Sequence, residues 1–265
     1  MEYVYIDSTN RDISQYPSAN SYVLYLTTTL KVVNTVKLLT AKIPNTVYNL
    51  TNGSNVFSFN NQSYSILPGF YSAYGLAAAM QSTTAGSLNV AYLEDQAIFI
   101  FSAASSFTVR FNTSEIQLLT GMKSFNIYTS ASASTNPVFQ NDTTYSSSYI
   151  ILSDQVVDFT AVDSVFLDIE EFRNSQVVDS KSLNNAYAQS FLGTSVERVT
   201  GIIPLDVDSG KVKTFKERSD FTLIVKMNTP LYNINKLTIR LIDKNGQLIN
   251  FNGYNNNSFV LEING

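Results

Sequence analysis

The chain of 265 residues contains no cysteine and no histidine. The first absence excludes disulfides, thiolate-bound metals and a cysteine nucleophile, and it is compatible with a reducing compartment. The second excludes Ser-His-Asp and Cys-His nucleophile systems, His-ligated zinc or iron, and imidazole proton shuttles. Charge is scarce too. Asp, Glu, Lys and Arg make up 14% of the residues, where about 25% is usual, and Asn, Ser and Thr crowd the polar positions. Net charge is -4 and the basic residues are scattered. No stripe exists to neutralise phosphates by counterion release, so direct nucleic-acid binding is not expected. No 18 apolar residues run together, and the opening MEYVYIDSTNRD has no apolar core behind a basic flank. A soluble chain without a transmembrane segment or secretion signal is therefore expected. On that expectation the Asn-x-Ser/Thr triplets at Asn49, Asn52, Asn61, Asn112, Asn141 and Asn256 read as Asn-rich loops instead of glycan acceptors.

What is present is apolar residue in alternation. Hydrophobic residues make up 44% of the chain, enough for one sizeable core or two smaller ones. Tyr, Phe, Val, Ile and Thr recur with period 2, which suits half-buried strands. Strands are predicted over 22–27, 36–43, 56–59, 64–67, 88–93, 97–102 and 107–111, then 149–152, 164–169, 199–204, 221–226, 236–242, 248–251 and 258–263. Asn52-Gly53 and Asn245-Gly246 are hairpin signals, the clearest hairpin being LTIRLIDKNGQLINF. Many short strands with such turns point to an all-β sandwich or barrel. Two helices interrupt the pattern. Ser72 is placed to cap an Ala-rich stretch running to Met80. Ser114 with Gln117 forms a capping box ahead of Leu118 and Leu119, with Gly121 as a left-handed stop. The block 60–122 thus reads as a small α+β unit within a larger β architecture. Residues 124–148, with SASASTNP at their centre, read as a loop or linker, and a division into two halves near 130–145 is the alternative.

Little remains for chemistry. A glycosidase needs only two carboxylates and survives the loss of histidine. Asp168, Glu170 and Glu171 in FLDIEEF are the candidates, because Asp168 and Glu170 would share one face of a strand. The plainer reading is a polar stripe or strand end. Asp206, Asp208 and Glu217 fall at calcium-loop positions, but Gly210 and Lys211 occupy positions five and six, which lack the ligand and the turn glycine. An acidic turn is the better reading, so no metal, cofactor or catalytic residue is assigned. The Ser209-Gly210-Lys211 triplet has no phosphate-binding loop before it. Aromatics reach 12%, as 16 Tyr and 17 Phe with no Trp. Most belong in a core. Tyr48, Tyr232 and Tyr254 sit in Asn-rich stretches and are the candidate interface residues, since exposed tyrosines stack on sugars or make protein contacts.

Several stretches carry a family resemblance. IDSTNRDISQYPSANSYVLYL, VKLLTAKIPNTVYNL, LPGFYSAYGLAAAM, EIQLLTGM, FLDIEEFRN, NNAYAQSFLG and the closing PLYNINKLTIRLIDKNGQLINFNGYNNNSFVLEI resemble, in order, segments of penton and minor capsid proteins of nucleocytoplasmic large DNA viruses and virophages. Met122 stands where that family has an aromatic residue, and the serine-rich segment near 130–148 has no counterpart. The resemblance implies a jelly-roll β-sandwich spanning residues 1–265, with 60–122 as an elaboration, in an icosahedral capsid. It implies a non-enzymatic vertex penton that forms homopentamers, partnered with itself, the major capsid protein and other capsid proteins. The location implied is the virion, after assembly inside the infected host cell. A minor capsid protein of two tandem jelly rolls is the alternative within that family. From the residues alone, a carbohydrate-binding attachment module and a carboxylate-only glycosidase also stay open.

Overall fold

The computed structural model describes residues 1–123, 127–135, 144–145, 148–173, 175–180, 199–220, 223–253 and 256–265. In chain order the elements are β1 (Glu2–Asp7), β2 (Ser21–Pro44), β3 (Val56–Phe59), β4 (Gln62–Ser65), α1 (Ala73–Thr83), β5 (Asn89–Leu93) and β6 (Ile98–Ala103). Then come β7 (Thr108–Phe111), α2 (Ser114–Thr120), β8 (Tyr128–Thr129), β9 (Ala131–Ser132), β10 (Tyr149–Leu152) and β11 (Ser164–Ile169). The chain closes with β12 (Ser175–Ser180), β13 (Gly201–Pro204), β14 (Val212–Lys216), β15 (Leu223–Ile242) and β16 (Ser258–Asn264). The chain is all-β with antiparallel pairing, as expected, and no helix among the described residues is long and apolar enough to cross a membrane. It divides into two compact units, Met1–Val47 with Val162–Gly265, and Tyr48–Ala161.

The first unit is one eight-stranded antiparallel sheet in the order β1-β16-β2-β15-β11-β13, with β12 on β15 and β14 on β2. The stretches predicted as separate strands over 22–27 and 36–43 are parts of the 24-residue β2. In a flat sheet β13 would lie three strand spacings, roughly 14 Å, from β2. Instead a Cβ added to Gly201 on β13 would come within 2.7 Å of the Leu38 side chain on β2. The sheet is therefore folded over on itself, with Val36, Leu38, Leu167, Ile239, Phe259 and Leu261 buried. Eight antiparallel strands in two facing layers are the make-up of a jelly roll. The β2/β15 ladder shifts register between Lys226/Leu231 and between Ile234/Lys236. Pro230, which has no N–H to give the ladder, falls inside the first shift, and Asn233 at φ 56° lies beside the second.

The second unit holds two four-stranded antiparallel sheets, β5-β6-β10-β9 and β4-β3-β7-β8. Phe57, Phe99, Phe101, Phe107 and Phe111 are fully buried between them, and the rings of Phe101 (β6) and Phe111 (β7) sit 5.6 Å apart, joining the sheets. The 60–122 block lies wholly inside this unit. The unit also takes in β3, β10 and the short strands β8 and β9, which arise in the segment expected to be a loop. The boundary weighed near 130–145 falls within the unit, so the two units are nested in sequence instead of following one another.

Local signals had mixed outcomes. Ser72 caps α1, its hydroxyl accepting from the Gly75 N–H at 3.2 Å, and Gly121 ends α2 at φ 69°, both as predicted. The capping box does not form. The N-cap of α2 is Thr113, without a side-chain cap bond. Gln117 is buried, and its amide donates to the Phe111 carbonyl at 3.0 Å instead of reaching back along the helix. The Asn245-Gly246 turn forms, with Gly246 at φ 78°, but residues 248–251 add only the bridge Leu248 to Ile242 instead of a strand. Strands β1, β12 and β14 were not predicted.

Candidate functional site

The three candidate carboxylates of FLDIEEF are parted by the fold. Asp168 lies on β11 and is 5% exposed. Its oxygens accept from Arg173 Nε at 2.9 Å and Nη2 at 2.5 Å, and Arg240 lies 3.5 Å away. The bond to Asp168 holds the Arg173 guanidinium above its ordinary pKa. Glu170 is exposed on a 3-10 turn after the strand ends, so it does not share a face with Asp168. Glu171 accepts from the Thr238 N–H at 2.8 Å and its hydroxyl at 2.9 Å, fastening that turn to β15. The expected pairing on one strand face is thus corrected. The strand stops at Ile169, the arginines hold the oxygens of Asp168, and Thr238 holds those of Glu171.

The acidic turn is consumed in the same way. Asp206 pairs with Lys213 at 2.7 Å, Asp208 with Lys211 at 2.5 Å, and Glu217 with Lys37 at 2.6 Å. Lys213 is itself 7% exposed and also donates to Asp220 at 2.9 Å. Hydrogen bonds from lysine hold the carboxyls of Asp206 and Asp208 below the usual carboxylate range. Burial pulls the Lys213 ammonium down, but its bonds to Asp206 and Asp220 outweigh that and leave it raised. Each carboxylate of the would-be loop already has a cation of its own. Among the described residues no cluster of three or more metal-ligating side chains occurs.

Of the candidate interface tyrosines, Tyr232 is 64% exposed on β15, while Tyr48 is 36% exposed at the start of the second unit. Tyr254 lies outside the described residues. Sequence reasoning missed another set, Tyr3, Tyr5 and Tyr25, all well exposed on β1 and β2. Their signal was legible in the opening EYVYID, where Tyr3 and Tyr5 alternate with Val4 and Ile6 and so share one face of a strand.

The motifs behind the family resemblance are fasteners. In IDSTNRDISQYP, Asp7 accepts from the Thr9 N–H at 2.9 Å and hydroxyl at 2.7 Å. The buried Arg11 guanidinium donates to the carbonyls of Ser8 at 2.6 Å, Tyr16 at 2.8 Å and Pro17 at 3.2 Å. In IPNTVYNL, Asn45 donates to the Val207 carbonyl at 2.6 Å, and Asn49 exchanges bonds with the Tyr71 backbone at 2.9 Å in each direction. These side chains satisfy buried backbone groups where strands give way to loops.

Solved structures similar to the chain include two from virophages. One is the crystal structure of the mavirus penton protein, with 7% identity, 98% of each chain covered and a TM-score of 0.41. The other is the electron cryomicroscopy structure of the Sputnik virophage, with 10% identity, 98% of this chain and 97% of that chain covered, and a TM-score of 0.41. Likeness of this degree carries no argument about what the chain does. No curated protein sequence matches it. The family described as "Family of unknown function (DUF5901)" matches residues 2–214, most of the length, and the chain belongs to that family.

Proposed function

We propose that the chain is a non-enzymatic structural component of an icosahedral viral capsid, and within that role the vertex penton that assembles as a homopentamer. The observation that carries this reading is how the fold uses its ionisable groups. Asp168, Glu171, Asp206, Asp208 and Glu217 are each tied to a cation or a backbone N–H, while Tyr3, Tyr5, Tyr25 and Tyr232 stand exposed. A shell subunit needs that division: a rigid β framework fastened by its own charges, and weakly charged faces that match identical neighbours. The resemblance of ordered sequence stretches to capsid proteins supports the same role. Its partners are other copies of itself, the major capsid protein and further capsid components, in a virion assembled within the infected cell. A particle reconstruction tests the reading: density for this chain at the five-fold vertices supports it, and density only beneath the shell away from those axes rejects the penton assignment.

A further inference from the structure

Beside β1 the first unit has a groove of about 700 Å3. Its lining is unusual in one respect: residues 2–6 of β1 and 23–28 of β2 contribute without a gap. The face of a strand would contribute only every second residue. Consecutive residues on both sides mean that the groove is bounded by strand edges, where backbone N–H and C=O groups point outward. The pairing agrees. β1 is hydrogen-bonded to β16 on one side, and Val23, Leu24 and Tyr25 of this part of β2 to β15 on one side. Among the described residues β1 has no strand on its other side, and β16 and β14 meet β2 only from Thr35 onward, leaving 23–28 without one there.

An antiparallel strand directs alternate residues' N–H and C=O groups to each neighbour, so both edges leave such groups to solvent along the groove. Unblunted edges of this kind are templates for another strand. Five residues of β1 line the groove, an extended length of about 17 Å. The charge is one-sided, because Glu2 and Asp12 are the only ionisable acids or bases other than tyrosine in the lining, and no Lys or Arg is among them. Arg11, close in sequence, is buried with its guanidinium on the carbonyls of Ser8, Tyr16 and Pro17. Tyr3, Tyr5 and Tyr25 lie in the lining with most of their surface exposed, and tyrosine faces attract lysine and arginine side chains.

We propose that this groove binds an extended, lysine- or arginine-bearing segment of a partner protein by strand addition to the free edge of β1. The capsid role is not required for it. The probe is an end-blocked octapeptide alternating lysine and valine, added to the full chain and followed by fluorescence anisotropy and by hydrogen exchange of backbone amides. Binding should protect amides in residues 2–6 and 23–28. N-methylation of alternate peptide nitrogens should weaken binding at least about tenfold, and Glu2→Lys at least about threefold. Glu2 is exposed, so that variant is expected to fold, and its melting temperature checks that it does. The proposal is overturned if the N-methylated peptide or a glutamate–valine counterpart binds as tightly, or if protection falls elsewhere. It is also overturned if the same amides become protected on raising protein concentration without peptide, which would give the groove to a second copy of the chain.

Discussion

Lys213 shows how single residues spend their charge in this protein. Its ammonium sits 2.7 Å from Asp206 and 2.9 Å from Asp220 with little solvent around it, so the pair with Asp220 resembles a buried ion pair while Asp206 is mostly exposed. Lys213→Met leaves Asp220 without its cation and should lower stability by about 3 kcal/mol, read from urea melts. Asp206→Asn should cost less than about 1 kcal/mol, because that partner is screened by water. The pH dependence follows from the shifts. Asp206, lowered from 3.8, contributes stability that is full above that value and is lost as pH falls through its lower folded pKa. Lys213, raised from 10.5, contributes stability that is full below that value and is lost as pH rises through its higher folded pKa. The gap between wild type and Lys213→Met should therefore be widest between these limits and narrow beyond both. Since each carboxylate of the turn already has a lysine, excess EDTA should leave the melting temperature unchanged; a drop of several degrees would mean a metal is bound there. The acidic turn was legible in the sequence as something other than a calcium loop, because Gly210 and Lys211 spoil the ligand set. Its partner Lys37 was not, because Lys37 reaches Glu217 only through the pairing of β14 with β2, whereas Lys211 and Lys213 lie within the turn segment itself.

At the level of elements, register and turn geometry decide what a substitution does. Ile239 is fully buried, paired across β15 to Tyr22 on one side and to Ile169 on the other. Ile239→Asp would bury an unpaired carboxylate at a cost of several kcal/mol, enough to unfold a marginal domain; a soluble variant with near-normal melting would show the register to be wrong. Two glycines make a controlled comparison. Gly246 and Gly121 both have positive φ, but a Cβ on Gly246 meets open space, whereas one on Gly121 collides with the carbonyl of Gln155. Gly246→Ala should cost about 1 kcal/mol for the left-handed backbone alone, and Gly121→Ala clearly more; equal losses in calorimetry would contradict this account of the α2 stop. Strands such as β3, β10 and β11 were legible to the residue, because alternation is a local signal. The edge strand β1 was hidden among the motif residues that follow it. The fusion of two predicted strands into β2 was hidden because residues 27–29 in its middle are exposed polar threonines, which interrupt the apolar pattern without ending the strand. The missing capping box has a similar cause: tertiary burial of Gln117 overrode a pattern that a free helix would have used.

For the whole molecule, the β class was legible from composition and alternation, while the nesting of the two units in sequence was not. Contacts between residues far apart in sequence fix that arrangement, as the pairing of β2 with β15 and β16 shows. The proposed assembly rests on what the units leave outside. A chain of low charge has little long-range repulsion to keep copies apart, and Tyr232 offers an exposed aromatic anchor of the kind interfaces use. Tyr232→Ala should leave the melting temperature of the isolated chain unchanged and weaken self-association about tenfold, if this residue is a central contact. In the proposed shell each contact can be modest, because a subunit there is held by neighbours on several sides at once. The central claim, a subunit of a closed five-fold ring, is tested most directly by native mass spectrometry across a range of protein concentrations. The account predicts a species of five times the 29.4 kDa chain mass that grows with concentration; a chain that stays monomeric throughout, or that stops at a dimer or trimer, would contradict it.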